Sequence, residues 1–391
     1  MPPHTTRHAV VSRRAEERIH NGHPWIYRSD VASVSAAGGD LVEVRAGNGR
    51  VLGHAMFSDR SLITLRMIAR GTEPLAESWL ADRLRAAIAW RARLDIDATA
   101  YRLVHGEGDL LPSLVVDRYG DVLVMQALSQ GMAARQDEIA RILADITGAS
   151  GILARNDPKV RDLEGLPREV TVLHGDVPDA HVIRLGRVEM EVDLRQGQKT
   201  GMFLDQRENY AATAGYARGR MLDAFSYQGG FALAAAPNVT EAIALDISDA
   251  AVARIGQHAA RNGLTNVRAE AVNVFDELRD LERAGARFDT IVLDPPAFAK
   301  NRASVPKALS GYKEINLRAL KLLAPGGHLI TCSCSYNVDE GAFGSVVLDA
   351  AIDAHADVTI VEKRMQSRDH PVLLGVPETY YLKCFVLRKL G

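Results

Sequence analysis

Short β-like runs rich in apolar residues, LVEVRA (41–46), VLGHAMF (51–57) and LITLRMIA (62–69), alternate within the first seventy positions with glycine-rich turns such as AAGGD and AGNGR. Short strands at this spacing, separated by turns, predict a small β-barrel or sandwich. The pattern then changes. From Pro74 to Leu94 the residues Leu75, Trp79, Leu80, Leu84, Ala87, Ile88 and Leu94 recur at three- and four-residue steps, with Arg91 interrupting the stripe, as in an amphipathic helix. Strand-like SLVVDRYG and DVLVMQALS, a helix near 132–147 and a further strand at GILARND follow, which reads as a mixed α+β unit. The loop HGDVPDA and the alternating segment HVIRLGRVEMEVDL mark its end.

Beyond about residue 219 the order is strand, turn, helix, repeated. RMLDAFS, EAIALDIS, NVRAEAV, FDTIVLDPP, GHLITCSCS, VTIVEKR and YLKCFVLRK read as strands, with helix-length segments between most of them. Such alternation builds a mostly parallel, doubly wound α/β sheet. Ligands of these sheets sit beyond the carboxyl ends of the strands, where the strand order reverses, so functional residues are sought there.

The chain has 391 residues, 47% hydrophobic and 25% charged. At roughly 150 residues per domain that length holds two or three cores, and the patterns divide it at 1–72, 73–180 and 181–391. No run approaches the roughly 18 apolar residues of a membrane helix. Charge stands in the first twenty positions where a signal peptide carries its apolar region, so a cytoplasmic protein without a membrane partner is expected. Three cysteines, Cys332, Cys334 and Cys384, are too few and too clustered for a disulfide framework, and no second ligand pair with zinc-like spacing accompanies them. The net charge of −2 makes no global case for nucleic acid. Residues 1–70 differ, because ten Arg against six Asp or Glu leave them net positive by four. Arg13, Arg14, Arg28 and Arg45 are candidates there for phosphate contact, and Trp25 and Tyr27 for stacking. The histidines, among them His4, His8, His105 and His258, form no triad pattern.

The first strand of the C-terminal pattern closes in Asp223-Ala224-Phe225-Ser226-Tyr227-Gln228-Gly229-Gly230 and a helix follows at once. Glycines admit a ligand close to backbone, and the helix N-terminus offers free N–H groups. Asp246 ends the second strand, 23 residues after Asp223, where an acidic residue can hold both ribose hydroxyls of an adenosine. There is no G-x-G-x-x-G and no P-loop Lys-Ser or Lys-Thr, so a ligand without phosphates fits better than a dinucleotide or a triphosphate. S-adenosylmethionine is such a ligand. The fourth strand ends in Asp294-Pro295-Pro296-Ala297-Phe298, where two prolines stiffen the turn and present the Asp294 carboxylate and the Pro295 carbonyl as acceptors for a base. Phe298 can stack on that base, or serve the core at a rigid strand exit. On the fifth strand Cys332 and Cys334 share a face. Thiolate addition to carbon 6 of a pyrimidine makes carbon 5 a nucleophile toward a methyl group, whereas a free cysteine is otherwise a small buried hydrophobe. Spacing does not choose between the two, and Cys384 within YLKCFVL is expected in the core.

Taken together, GHPWIYRSDV, HGEGDLLPSLVVDRYG, QGQKTGMFLDQREN, DAFSYQGGFAL, LDPPAFAKN, GYKEINLRALKLLAPGG, SCS, DHP and YYLK resemble, in order and over nearly the full length, the class I methyltransferases of the RlmI type, which make 5-methylcytosine in 23S ribosomal RNA. The resemblance implies an N-terminal PUA domain, a central α+β domain of two hairpins around a helix, and a C-terminal Rossmann-like S-adenosylmethionine-dependent methyltransferase domain. It implies Cys334, not Cys332, as the nucleophile, with Asp294 steadying the activated ring. Phe225, Tyr227, Gly229 and Asp246 would line the cofactor pocket, with Gln206 and Arg207 of the LDQR string and Asp294 close by. Asn273 stands where family members often carry Asp, and its amide can still hydrogen-bond adenine. LPS at 111–113 replaces the usual LPG. Phe298, Arg28 and Arg45 are then the residues expected on the RNA. Ribosomal RNA, 23S or a large-subunit precursor, is the implied partner, with a homodimer as a candidate assembly. Two rivals stay open: an exocyclic amino methyltransferase, which D-P-P-F also suits, and a non-catalytic RNA-binding or assembly factor, favoured by the basic N-terminal segment. No second cysteine follows DPP, so a two-cysteine release scheme has no support.

Overall fold

The computed structural model describes residues 7–299 and 301–390, so His4 lies outside the described residues. Two compact units emerge. One holds the residues up to Ile183 with Val192–Leu204 and Arg368–Thr379; the other holds Arg184–Glu191, Asp205–Ser367 and the residues from Tyr380 onward.

The first unit contains two large sheets. In the six-stranded one the order is Trp25–Tyr27, Ile63–Arg70, Val51–Phe57, Leu41–Ala46, His8–Val11, Val31–Ser35. The three β-like runs form its middle; Val42, Val44 and Ala46 are buried at every second position as the pleat requires, whereas Val51–Phe57 and Ile63–Arg70 bury consecutive residues. Helix Arg13–His20 escapes the sequence pattern because only Ala15 and Ile19 are buried; Ser12 caps it, its Oγ accepting from the Ala15 N–H at 3.3 Å. The five-stranded sheet runs Glu169–Gly175, Gly151–Asn156, Val122–Ala127, Leu114–Tyr119, Ala100–His105. Helices Trp79–Ala92 and Gln136–Thr147 share its core through Leu80, Leu84, Ile139 and Leu143.

The first of these helices starts at Trp79, not at Pro74. Leu75 still packs on the core, so the apolar spacing runs on through a turn in which the Trp79 N–H donates to the Ala76 carbonyl. Likewise the helix expected near 132–147 begins at Gln136, after a separate turn at Gln130–Ala133. Arg91, the interruption in the stripe, is itself buried. Its Nη1 donates to Asp109 at 2.5 Å, Nη2 to the Asp369 carbonyl at 2.7 Å and Nε to the Arg102 carbonyl at 3.1 Å. A charge is tolerated inside when its donors are taken in this way.

In the second unit seven strands form one sheet: β1 (Arg220–Ala224), β2 (Glu241–Asp246), β3 (Val267–Ala271), β4 (Phe288–Leu293), β5 (Leu323–Ser333), β6 (Val358–Met365) and β7 (Lys383–Lys389). Their order is β3-β2-β1-β4-β5-β7-β6, with β1 to β5 parallel and β7 antiparallel to both neighbours. The order reverses at β1, which pairs with β2 on one side and β4 on the other. The carboxyl ends of β1, β2, β4 and β5 therefore open on one edge. Helices α1 (Arg207–Tyr216), α2 (Gly230–Ala235), α3 (Asp249–Arg261), α4 (Val274–Arg283), α5 (Val305–Leu322) and α6 (Glu340–Asp353) connect the strands. Leu278 of α4, Ile315 of α5 and Phe343 of α6 join Leu222, Ile291, Leu329 and Phe385 of the sheet in one core. Among the described residues no helix is long and apolar enough to cross a membrane.

Within the first unit, buried Arg66 donates to Glu164 at 2.7 Å, and Glu164 also accepts from Ser58 Oγ at 2.6 Å and from the Gln130 N–H at 3.1 Å. Glu164→Ala would strand the Arg66 charge and remove all three bonds, so it should destabilise this unit by about 3–5 kcal/mol. Urea unfolding of the variant should show a lowered midpoint; an unchanged midpoint would mean that water replaces the carboxylate.

Candidate active site

β1 delivers Asp223 and Ala224 to the open edge, and the loop after it is strained. Phe225 has φ 64°, Tyr227 φ 50° and Gly229 φ 85°. Left-handed backbone costs a non-glycine residue of order 1–3 kcal/mol and persists only where its surroundings enforce it. Here they do: the Ser226 N–H donates to the Leu245 carbonyl at 2.9 Å, the Tyr227 N–H to Asp246 Oδ2 at 2.9 Å and the Gly229 N–H to the Ser226 carbonyl at 2.8 Å. At Gly230 a Cβ would come within 2.4 Å of the Tyr210 ring, which explains a glycine in that place. Asp246 anchors the loop through both oxygens, since Oδ1 accepts from the Ser248 N–H at 3.0 Å. Asp223 is fully buried. Its Oδ2 accepts from the Ala232 N–H of α2 at 3.0 Å, while Oδ1 has no partner. Burial, with repulsion from Asp294 and Asp246 added, pushes the Asp223 carboxyl up to about 8.

Asp294 follows β4 directly. Its Oδ1 accepts from Gln206 Nε2 at 2.8 Å, and Gln206 Oε1 in turn accepts from Asn209 Nδ2 at 2.6 Å, so Gln206 orients the carboxylate. Arg207, also buried, opens α1 beside it. Phe298 stands half-buried among aromatic rings, with centroids 4.7 Å from Tyr312, 5.9 Å from Phe275 and 6.5 Å from Phe225. Asn273 is exposed at the start of α4, where its Oδ1 accepts from the Phe275 N–H at 3.0 Å as the helix cap.

The two adjacent thiols differ in surroundings. Cys332 lies within β5, opposite Cys384 of β7, and both are buried; burial pushes the Cys332 thiol well above its ordinary range. Cys334 lies one residue past the strand, half-buried, with Sγ 3.7 Å from the Pro295 carbonyl oxygen. Its buried neighbours are pinned. Ser333 Oγ donates to Tyr312 Oη at 3.0 Å, Ser335 Oγ lies 2.9 Å from the same hydroxyl and accepts from the Ala299 N–H at 3.1 Å, and Lys383 Nζ donates to the Ser335 carbonyl at 2.8 Å. Tyr312, Lys383, Asn209 and the burial of Asp223 are features that sequence reasoning missed. A lysine heading the apolar string KCFVL was the one visible signal.

In the first unit the candidate RNA-contacting groups are engaged locally. Arg45 Nε donates to Glu43 at 2.5 Å, and Arg28 Nη2 donates to the Arg60 carbonyl at 2.6 Å. Arg14 Nε donates to Asp30 at 2.6 Å, whereas Arg13 is exposed with Glu17 at 3.6 Å. Trp25 Nε1 donates to Glu107 at 2.8 Å, and the Arg18 guanidinium lies 4.6 Å over the Tyr27 ring.

The donor set suits S-adenosylmethionine. Carboxylates at the ends of β1, β2 and β4 converge on the reversal point, one of them with a partnerless buried oxygen, and a ligand carrying an ammonium and a sulfonium offsets their repulsion. Comparison with known proteins agrees. A family model described as S-adenosylmethionine-dependent methyltransferase matches residues 101–376, and one described as a PUA-like domain matches residues 10–70. The chain is 38% identical, over 97% of its length and 98% of the other, to the ribosomal RNA large subunit methyltransferase I of Tolumonas auensis. It belongs to that methyltransferase family. The protein of the same name from Aeromonas salmonicida is 38% identical over 95% of this chain and 97% of its own. Among solved structures, a putative methyltransferase (SMU.776) complexed with SAH superposes with a TM-score of 0.83 at 22% identity, covering 97% of this chain and 99% of that one. A putative SAM-dependent methyltransferase from Streptococcus mutans does so at 0.81 and 21%, with the same coverage. At that identity the two speak for the fold. The methyltransferase is thus S-adenosylmethionine-dependent, with a PUA-like N-terminal domain ahead of a Rossmann-like sheet.

A carboxyl held protonated in the fold stabilises it fully below the unfolded value of about 3.9 and loses that contribution as pH rises toward the folded value. Without cofactor, the wild type should therefore lose stability relative to Asp223→Asn between about pH 4 and 8. Thermal midpoints of the two proteins across that window test this; a constant difference would mean that Asp223 is already charged at pH 4.

Proposed function

We propose that this methyltransferase acts on ribosomal RNA of the large subunit, 23S or its precursor, and methylates carbon 5 of a cytosine through a covalent Cys334 adduct. The observation that carries the reading is the half-exposed Cys334 thiol beside the Pro295 carbonyl, at the ligand edge of the sheet, while Cys332 and Cys384 are shut away. The names of the curated relatives supply the RNA class. S-adenosylmethionine, when bound, supplies an electrophilic methyl on a sulfonium. Phe225, Tyr227 and Gly229 form its loop, Asp246 takes the ribose, Asn273 the adenine edge, and Gln206 and Arg207 support Asp294 beneath it.

In this mechanism the Cys334 thiolate adds to carbon 6 of a flipped cytosine, forming the S–C6 bond and moving electron density to carbon 5. Asp294 and the Pro295 carbonyl accept hydrogen bonds from the ring and hold it against Phe298. Carbon 5 takes the methyl; loss of its proton to a base then breaks the S–C6 bond and returns the thiolate. Residues 1–72, Arg28 and Arg45 among them, hold the RNA backbone, 73–180 link, and 181–391 do the chemistry. A single chain suffices, and the homodimer considered above adds nothing to the reading. The Asp294-Pro295-Pro296-Ala297-Phe298 element favours exocyclic amino methylation as a second reading, which needs no thiol.

Nucleoside mass spectrometry of ribosomal RNA from a deletion strain, treated with the purified enzyme, should show 5-methylcytosine. Cys334→Ala should lose transfer to background while binding cofactor as tightly as wild type. An N-methylated nucleoside, or full turnover by that variant, would overturn the adduct mechanism; cofactor binding without transfer to any RNA would favour an assembly factor.

A further inference from the structure

Lys383 heads β7 with its side chain 1% exposed, followed by the buried run Cys384-Phe385-Val386-Leu387. It lies directly across the sheet from Ser333, the residue before Cys334. Its Nζ donates to the carbonyl of Ser335, the residue after Cys334, at 2.8 Å, and to the Tyr381 carbonyl at 3.0 Å. Among the described residues no carboxylate stands within ion-pair distance of this ammonium. Glu340, at the start of α6, is committed to Lys363 Nζ and Tyr380 Oη, each at 2.7 Å, and Asp339 caps the same helix through the Ala342 N–H. Tyr312 of α5 is hydrogen-bonded to both serines. A buried cation without a counter-ion is costly, and an anion that meets it offsets that cost.

We infer that Lys383 is the positioning residue of the nucleophile: its buried ammonium supplies the counter-charge for the Cys334 thiolate and fixes the thiol's backbone through the Ser335 carbonyl. The inference rests on the nucleophile role proposed for Cys334. The thiol proton leaves to solvent before the base arrives, and Lys383 keeps its own protons throughout. Burial brings the Lys383 ammonium down to about 8, and Cys334 is the strongest group opposing that fall, ahead of Asp339 and Glu340. At neutral pH the lysine is therefore still charged, which a counter-ion must be.

The experiment is the pH profile of iodoacetamide alkylation on the full-length protein, read by intact mass, with Cys334→Ser as the background for the two buried thiols. Wild-type Cys334 should titrate below the ordinary thiol value of about 8.5. Lys383→Met should raise that midpoint by about one unit, leaving about tenfold less thiolate at neutral pH. Its acid limb of kcat/KM for RNA should move by the same amount, with KM for S-adenosylmethionine unchanged. Lys383→Arg should restore most of both. A wild-type midpoint at or above about 8.5 overturns the inference without any variant, so a Lys383→Met protein that fails to fold does not protect it. So does a folded Lys383→Met with a wild-type alkylation profile. Should Cys334→Ala retain methyl transfer while the alkylation shift is present, the nucleophile reading fails and the ion pair stands.

Discussion

Repulsion among carboxylates at a single point of the sheet is the constraint around which the catalytic unit is organised. Parallel strands deliver their carboxyl ends to one edge, and the reversal at β1 leaves room there for a ligand. Asp223, Asp246 and Asp294 all arrive at that room. The fold bears the arrangement by giving two of them fixed partners, backbone N–H groups for Asp246 and the Gln206 amide for Asp294, and by keeping the third buried with its carboxyl raised. Left-handed Phe225 and Tyr227 are part of the same arrangement, because that turn brings the Tyr227 N–H onto Asp246. A cationic cofactor relieves the repulsion, so affinity for it and strain without it have one origin.

Periodicity carried most of this fold because period is set by local geometry. All seven strands of the catalytic sheet fall on the runs read from the sequence, with ends displaced by a few residues, as where GHLITCSCS begins earlier at Leu323. What stayed hidden depends on partners distant along the chain. Arg91 reads as a break in an apolar stripe until Asp109 and the Asp369 carbonyl are seen around it. Gln206 and Asp294 are 88 residues apart, so no window of sequence shows that one holds the other. Helix Arg13–His20 was lost for the opposite reason: two buried residues in eight are too few to carry a period.

The cysteines show how small a step separates filler from chemistry. Cys332 and Cys334 are two residues apart, and side-chain alternation would give them one environment. The ladder between β5 and β7 ends at the Ser333–Lys383 pair, however, so Cys332 is still roofed by Cys384 and Cys334 is not. Tyr312 and Lys383 then hold the serines on either side, which fixes a thiol that has left the sheet without burying it. Rigidity without burial is what a nucleophile needs and what a packing residue does not.

Charge in the first seventy residues takes on a sharper meaning once its partners are known. Each of its six carboxylates lies near an arginine: Asp40 by Arg7, Glu17 by Arg13, Asp30 by Arg14, Glu43 by Arg45, Glu16 by Arg50 and Asp59 by Arg60. The excess therefore rests on Arg18, Arg28, Arg66 and Arg70, and Glu164 matches Arg66. The other three are held by an aromatic ring or by carbonyl oxygens, which orient a guanidinium without neutralising it. A phosphate approaching Arg45 must first displace Glu43, whereas one approaching Arg28 meets a cation whose charge is uncompensated and whose position is already fixed. Release of cations condensed on a nucleic acid would accompany either contact, but only the first must also break an existing ion pair. Composition counted these arginines as equals; their partners separate them.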